Sequence, residues 1–279
     1  MTPTFALLLG ALQGLTEFLP ISSSGHLALA HHFFGAADPG SEQVAFDVVL
    51  HVATLLAVLL VYRHSLVALA RAGFDAARSS GSYRRPRATI QSSDELRLVL
   101  ALALGSLPTA VIGLLFQDRL ESLFDRPAVV ASMLLVTGAL LSLPRLLGAR
   151  AHEENVVRPW QAVLIGIVQG LAITPGISRS GSTISVALLL GIAPALAARF
   201  SFLLSIPAIL GALLLKLGDL DFATTSGLEL TLGFAAAFLV GWASLAVLLA
   251  MLRRGRFSLF AIYCFVLGSG VLAWLWIAP

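Results

Sequence analysis

Between residues 13 and 26 the chain reads QGLTEFLPISSSGH. Gln13 and Glu17 are four apart and share one helix face. That face leads into Ser22, Ser23, Ser24, Gly25 and His26. An amide, a carboxylate, hydroxyls and an imidazole in one stretch can hold a hard divalent cation, move a proton or supply a nucleophile. A partial copy, QGLAITPGISRSGS, stands at 169–182, and in it Arg179 takes the position of Ser23. A guanidinium stays charged and offers a fork of donors to phosphate oxygens. Ser178, Ser180, Gly181 and Thr183 surround it. Both Ser/Gly loops precede helices expected over 25–35 and 181–192, and free backbone N–H groups at helix N-termini favour an anion. One arginine, two N-termini and several hydroxyls read as a phosphate pocket. Glu17 with Gln13 reads as a cation ligand pair or as an acid/base, and Ser or His reads as the nucleophile. The blander readings are a Glu17 satisfied by neighbouring hydroxyls, an Arg179 that only pairs with Glu17, and a His26 that only packs.

These groups lie in unusually apolar surroundings. The chain of 279 residues is 58% hydrophobic and 12% charged, with a mean hydropathy of +0.91. Residues 1–37 contain no Lys or Arg and one acid, Glu17. A carboxylate at membrane depth is costly and marks function by default. Apolar runs long enough to cross a bilayer fall near 44–63, 98–116, 127–147, 195–215, 228–252 and 258–277, each close to the ~20 residues required. The fold class expected is an all-α polytopic membrane protein. MTPTFALLLG lacks the positive region of a signal peptide, so no cleaved leader is expected. Cys264, the single cysteine, lies in an apolar run and reads as a packing residue. The net charge of +3 reflects basic cytoplasmic loops rather than nucleic-acid binding. Loop 64–97 carries Arg71, Arg78, Arg84, Arg85, Arg87 and Arg97, segment 145–158 carries Arg145, Arg150 and Arg158 beside Glu153 and Glu154, and 253–256 reads RRGR. Loop 216–227 is instead mostly acidic, with Asp219 and Asp221 against Lys216. The positive-inside rule puts the three basic segments in the cytoplasm, and six crossings with both termini outside satisfy all of them.

Two further segments, 4–35 and 157–192, are apolar but interrupted by Pro, Gly and Ser. Aligning residue n with n+156 pairs 10–25 with 166–181. The pairs Gly10/Gly166, Gln13/Gln169, Gly14/Gly170, Leu15/Leu171, Ile21/Ile177, Ser22/Ser178, Ser24/Ser180 and Gly25/Gly181 are identical. The chain is expected to hold two halves, 1–150 and 151–279, each with one broken segment and three crossings. An odd number of crossings inverts the second half, as in inverted-repeat transporters. Non-helical backbone is tolerated at membrane depth only where protein or a water-filled cavity covers it. The broken segments therefore read as re-entrant helix–loop–helix hairpins whose loops meet near the midplane, against the alternative of two short or kinked crossings each. The GxxxG spacings at 10–14 and 166–170 suit close packing of the hairpin arms. Asp47, His51 and Arg199 are further polar groups near crossing ends, with Asp47 and Arg199 supporting or interfacial. His31 and His32 are expected at a membrane surface, and Trp160, Trp242, Trp274 and Trp276 as interface anchors or packing.

EFLPISSSGH at 17–26 and PGISRSGST at 175–183 closely resemble the two signature motifs of the undecaprenyl-diphosphate phosphatase family, the bacitracin-resistance BacA/UppP type. Gln13 and Glu17 match its (E/Q)xxxE element, and the likeness extends through FDVVLH and ARFSFLLSIPAILGA (198–212). The resemblance implies a multi-pass enzyme of the bacterial inner membrane, open to the periplasm, with Mg²⁺ or Ca²⁺ as cofactor. It implies removal of one phosphate from undecaprenyl diphosphate, which recycles the lipid carrier for peptidoglycan synthesis. By position, Glu17 and Gln13 would bind metal or activate water, and Ser23 and His26 would be nucleophile or acid/base. Arg179, Ser178 and Thr183 would hold the diphosphate. Many members carry Glu at the position of Asp47 and Gln at that of His51. Membrane lipids surround such a protein, and a homodimer is an assembly left open.

A transporter or flippase of a polyprenyl phosphate lipid would share the inverted repeat. The Glu/Ser/His/Arg set, which a pure carrier does not need, argues against it. SSSGH also echoes an element of the PAP2 class of lipid phosphatases, but no His follows Arg179 within 180–192 and its basic first motif is missing. A non-enzymatic scaffold would leave Glu17 and Arg179 without a purpose.

Overall fold

The computed structural model describes residues 1–34, 41–78, 93–148, 154–219 and 226–277. Arg84, Arg85, Arg87, Arg150, Glu153 and Asp221, which contribute to the charge pattern, lie outside them. Among the described residues, six stretches are long and apolar enough to cross a membrane: Val44–Val61, Asp94–Leu120, Pro127–Leu146, Pro194–Lys216, Gly227–Arg253 and Phe257–Ile277. They coincide with the six runs read from the sequence. Leu107, Leu115, Leu214, Val266 and Trp276 on their outer faces are exposed, as lipid-facing side chains are.

The first broken segment forms helices α1 (Pro3–Phe18) and α2 (Ser23–Phe34). α1 stops where it does because Leu19 precedes Pro20, which pushes it out of the helical region, and its ψ is 138°. Crossing helix α3 (Ser41–Val61) follows. Next comes α4 (Arg63–Arg78), inside a stretch whose arginines alone suggest a loop. Leu66 and Leu69 recur at helical spacing and pack into the core around Leu98 and Ile165, and that burial forms the helix. Helices α5 (Asp94–Glu121) and α6 (Pro127–Leu146) complete the first half. The second broken segment gives α7 (Pro159–Leu171) and α8 (Arg179–Leu189). Then come α9 (Pro194–Lys216), α10 (Gly227–Arg253) and α11 (Phe260–Ile277).

The long arms do not use their glycines on their sister arms. α1 lies along α10, and α7 along α5. A Cβ on Gly10 would stand 2.3 Å from the carbonyl oxygen of Gly233, and one on Gly166 would stand 2.0 Å from that of Gly105. Only glycine lets these backbones approach so closely. Each arm is thus held by a crossing helix from the other half of the chain. α6 and α11 pack together, and α6 also lies against α2 and α8. Against the end of the first loop, Phe18, Ile21, Phe202, Leu245, Leu248 and Cys264 form a buried apolar layer, with Phe18 and Phe202 edge to face at 5.8 Å.

Candidate active site

The two Ser/Gly loops touch. A Cβ on Gly25 would lie 2.9 Å from Gly176 Cα, and one on Gly181 would lie 3.1 Å from Pro20 Cβ. Ser180 Oγ donates to the Phe18 carbonyl at 3.2 Å. The aligned serines do the same local work in both copies. Ser22 Oγ accepts from Gly25 N–H at 3.2 Å, and Ser178 Oγ accepts from Gly181 N–H at 3.1 Å. Each also contacts the second hydroxyl of its loop, Ser24 at 3.3 Å and Ser180 at 3.4 Å. These are helix N-caps. The N–H groups of Ser23 and Ser24 open α2 and those of Arg179 and Ser180 open α8, positions with no partner inside the helix. Two helix N-termini therefore converge where the loops meet.

Glu17 lies at this junction with its side chain 6% exposed. Its Oε2 accepts from Gln13 Nε2 at 3.1 Å and from Ser23 Oγ at 2.5 Å. Its Oε1 accepts from Arg179 Nη2, which arrives from the opposite half. The i, i+4 spacing brings in Gln13, the turn at Pro20 brings in Ser23, and the meeting of the loops brings in Arg179. The other arginine nitrogen, Arg179 Nη1, is buried without a hydrogen-bond partner among the described residues, and so is Gln13 Oε1. A hydroxyl already donating to a carboxylate has a base for its proton. A guanidinium nitrogen with no partner is a place for a phosphate oxygen.

His26 is elsewhere engaged. Its Nδ1 is 2.7 Å from the Ser22 carbonyl, and its Nε2 is 2.7 Å from the Tyr263 hydroxyl on α11. Thr183 is fully buried and bonds the Arg179 carbonyl at 2.7 Å and Ser201 Oγ at 2.5 Å, so it braces α8. Asp47 and Arg199 are not brought to Glu17: Asp47 faces His31 at 3.4 Å, and Arg199 approaches Glu95 at 3.8 Å. His51, one turn beyond Asp47, sets its Nδ1 2.8 Å from the Asp47 carbonyl. Sequence reasoning passes over two residues that grip the loops. Thr137 on α6 donates to the Gly176 carbonyl at 2.8 Å and accepts from Ser178 N–H at 3.0 Å. Tyr263 reaches His26, and its neighbour Cys264 sets its Sγ 3.8 Å from the Pro20 carbonyl. Pro20 and Gly176 are aligned positions of the repeat, so each loop is held at the same carbonyl. The available signal was a polar side chain within an apolar crossing helix, one that Thr137 shares with Ser132 and Ser142.

Among the described residues, no three His, Cys, Asp or Glu side chains converge as a metal cage. The donor set still fits a hard cation that brings its own oxygens. Gln13 Oε1 is an orphaned buried acceptor one helical turn from the Glu17 carboxylate, and Mg²⁺ is commonly held by one or two carboxylates together with substrate phosphates.

A model of the family described as bacitracin resistance protein BacA matches residues 6–270. The chain belongs to this family. An undecaprenyl-diphosphatase of Desulfosudis oleivorans is 47% identical over 278 residues, covering 99% of each chain. Undecaprenyl-diphosphatases of Desulforapulum autotrophicum and Syntrophotalea carbinolica are each 42% identical, over 93% and 95% of this chain and 94% and 95% of theirs. The matched span includes the two loops that meet at Glu17 and Arg179.

Proposed function

We propose that this protein is a membrane phosphatase that hydrolyses undecaprenyl diphosphate to undecaprenyl phosphate and inorganic phosphate. The relatives' names point to this reaction. The observation that carries it is the Ser23 hydroxyl donating to Glu17 at 2.5 Å, while Arg179 from the other half bonds the same carboxylate. Ser23 Oγ attacks the terminal phosphorus, its proton passes to Glu17, and the bridging P–O bond breaks to release undecaprenyl phosphate. Water then attacks the phosphoserine, and a proton moves through Glu17 to Ser23 Oγ as it leaves. Arg179 Nη1 and the N–H groups that open α2 and α8 hold the phosphate oxygens. Mg²⁺ or Ca²⁺ would be held by Gln13 Oε1 and Glu17 with the diphosphate, where it would neutralise charge on the leaving group. Ser23 is preferred to His26 as nucleophile because both ring nitrogens of His26 are bonded.

The hairpins are read as re-entrant, in an inverted repeat with both termini on the periplasmic face of the inner membrane. Arm length supports this: 16 residues of α1, 13 of α7 and 11 of α8 extend only about 24, 20 and 17 Å at 1.5 Å per residue, short of a core ~30 Å thick. The headgroup would reach the loops from the periplasm while the isoprenoid tail stays in lipid. The product re-enters peptidoglycan synthesis, and its release accounts for bacitracin resistance. Substrate labelled with ³²P in its terminal phosphate tests the chemistry. Quenching in neutral denaturing detergent should trap phosphoserine at residue 23, and label on His26 would overturn this assignment.

A further inference from the structure

Helix α11 reads FAIYCFVLGSGVLAWLWI and is otherwise almost wholly apolar. Its Tyr263 stacks on His26 with ring centroids 5.6 Å apart and planes 13° apart, and its hydroxyl is 2.7 Å from His26 Nε2. A carbonyl can only accept, so the 2.7 Å contact between Nδ1 and Ser22 O puts a proton on Nδ1. In the neutral ring Nε2 then accepts from the Tyr263 hydroxyl. His26 is 7% exposed and Tyr263 43%, so the tyrosine closes the outer side of the ring.

The other end of this chain of contacts is strained. Ser22, at φ 72°, is the one non-glycine residue with positive φ among the described residues. Such a backbone persists only where its surroundings hold it. The Ser22 carbonyl receives both the backbone N–H of His26 at 3.2 Å and the imidazole Nδ1–H. The next residue is Ser23, whose hydroxyl lies on Glu17. The turn at Ser22 sets the direction in which Ser23 points.

We propose that Tyr263 is a positioning residue: it holds His26 against the Ser22 carbonyl and thereby holds the Ser23 hydroxyl on Glu17. His26 is then a brace rather than the nucleophile. The kinetic consequence rests on the phosphatase reading; the contact itself does not. Tyr263→Phe keeps the ring, the stack and the volume and removes only the hydroxyl. It should lower kcat about tenfold, the rate equivalent of one hydrogen bond, and leave KM within about twofold. His26→Ala and the double variant His26→Ala/Tyr263→Phe should be equally impaired, because Tyr263 acts only through His26. A wild-type kcat in Tyr263→Phe, a rise in KM alone, or independent losses in the double variant would each overturn the proposal. Imidazole ¹⁵N spectra of histidine-labelled protein give a second readout. The Nε2 resonance of His26 should move in Tyr263→Phe while Nδ1 stays protonated, and an unmoved resonance overturns the contact. If the wild type releases no phosphate, the phosphatase reading fails by itself and the spectra still decide the pair.

Discussion

The bond between Glu17 and Arg179 joins the two halves of the chain at a buried point, and its contribution can be measured. In Arg179→Met the Glu17 carboxylate, 6% exposed, keeps only the neutral donors Gln13 and Ser23. Removing one partner of a buried pair costs about 3–5 kcal/mol. The two retained neutral bonds together offset about 1–2 kcal/mol of that. The expected loss is therefore about 2–3 kcal/mol. In Glu17→Gln the guanidinium, 17% exposed and with Nη1 already unpartnered, loses its counter-charge and keeps only a neutral amide acceptor, at a similar cost of about 2–3 kcal/mol. The double variant removes both charges and should lose only about 1 kcal/mol, giving a coupling of about 3 kcal/mol or more. For a chain of this size the single variants should melt roughly 5–10 °C below wild type and the double variant roughly 2–4 °C below. Thermal unfolding in detergent, followed by circular dichroism, measures all four. A double variant that melts lower by the sum of the single losses would refute the idea that the charges depend on one another.

Other outcomes follow from the same geometry. Thr137→Val removes the hydroxyl that serves both the Gly176 carbonyl and the Ser178 N–H; it should cost about 1–3 kcal/mol in thermal melts and lower kcat. Gly166→Ala drives a Cβ to within 2.0 Å of the Gly105 carbonyl and should destabilise by about 2 kcal/mol or more despite alanine's better helix propensity. Gly211→Ala, in α9 with open space around it, should be neutral or raise the melting temperature, and the contrast between the two tests the α5–α7 packing. EDTA should abolish phosphate release and Mg²⁺ or Ca²⁺ restore it; full activity in EDTA would exclude a cation from the site.

The crossing helices and the hairpin breaks are legible because they rest on local rules: apolar length, the stop imposed by Pro20, and the n+156 repeat. Glu17, Ser23 and Arg179 stand out because polar groups are rare in so apolar a chain, and the repeat predicts that their loops meet. What the sequence hides is which hydrogen bond each polar group makes. Ser22 and Ser178 look like phosphate ligands, yet their hydroxyls cap helices. His26 looks like a nucleophile, yet both its nitrogens have partners. Tyr263 and Thr137 are silent within apolar runs. The helix at Arg63–Arg78 is obscured because arginines outweigh its narrow apolar stripe. These outcomes depend on contacts made across the fold, between partners as distant as His26 and Tyr263, 237 positions apart, which no local pattern encodes.

The central claim is that one site, assembled from both halves, cleaves the diphosphate. Phosphate release from undecaprenyl diphosphate by purified protein in detergent tests it most directly, with Glu17→Ala and Arg179→Ala beside the wild type. The expected result is metal-dependent release by the wild type and none by either folded variant. Near-normal release by either variant, or none by well-folded wild type across several divalent metals, would contradict the account.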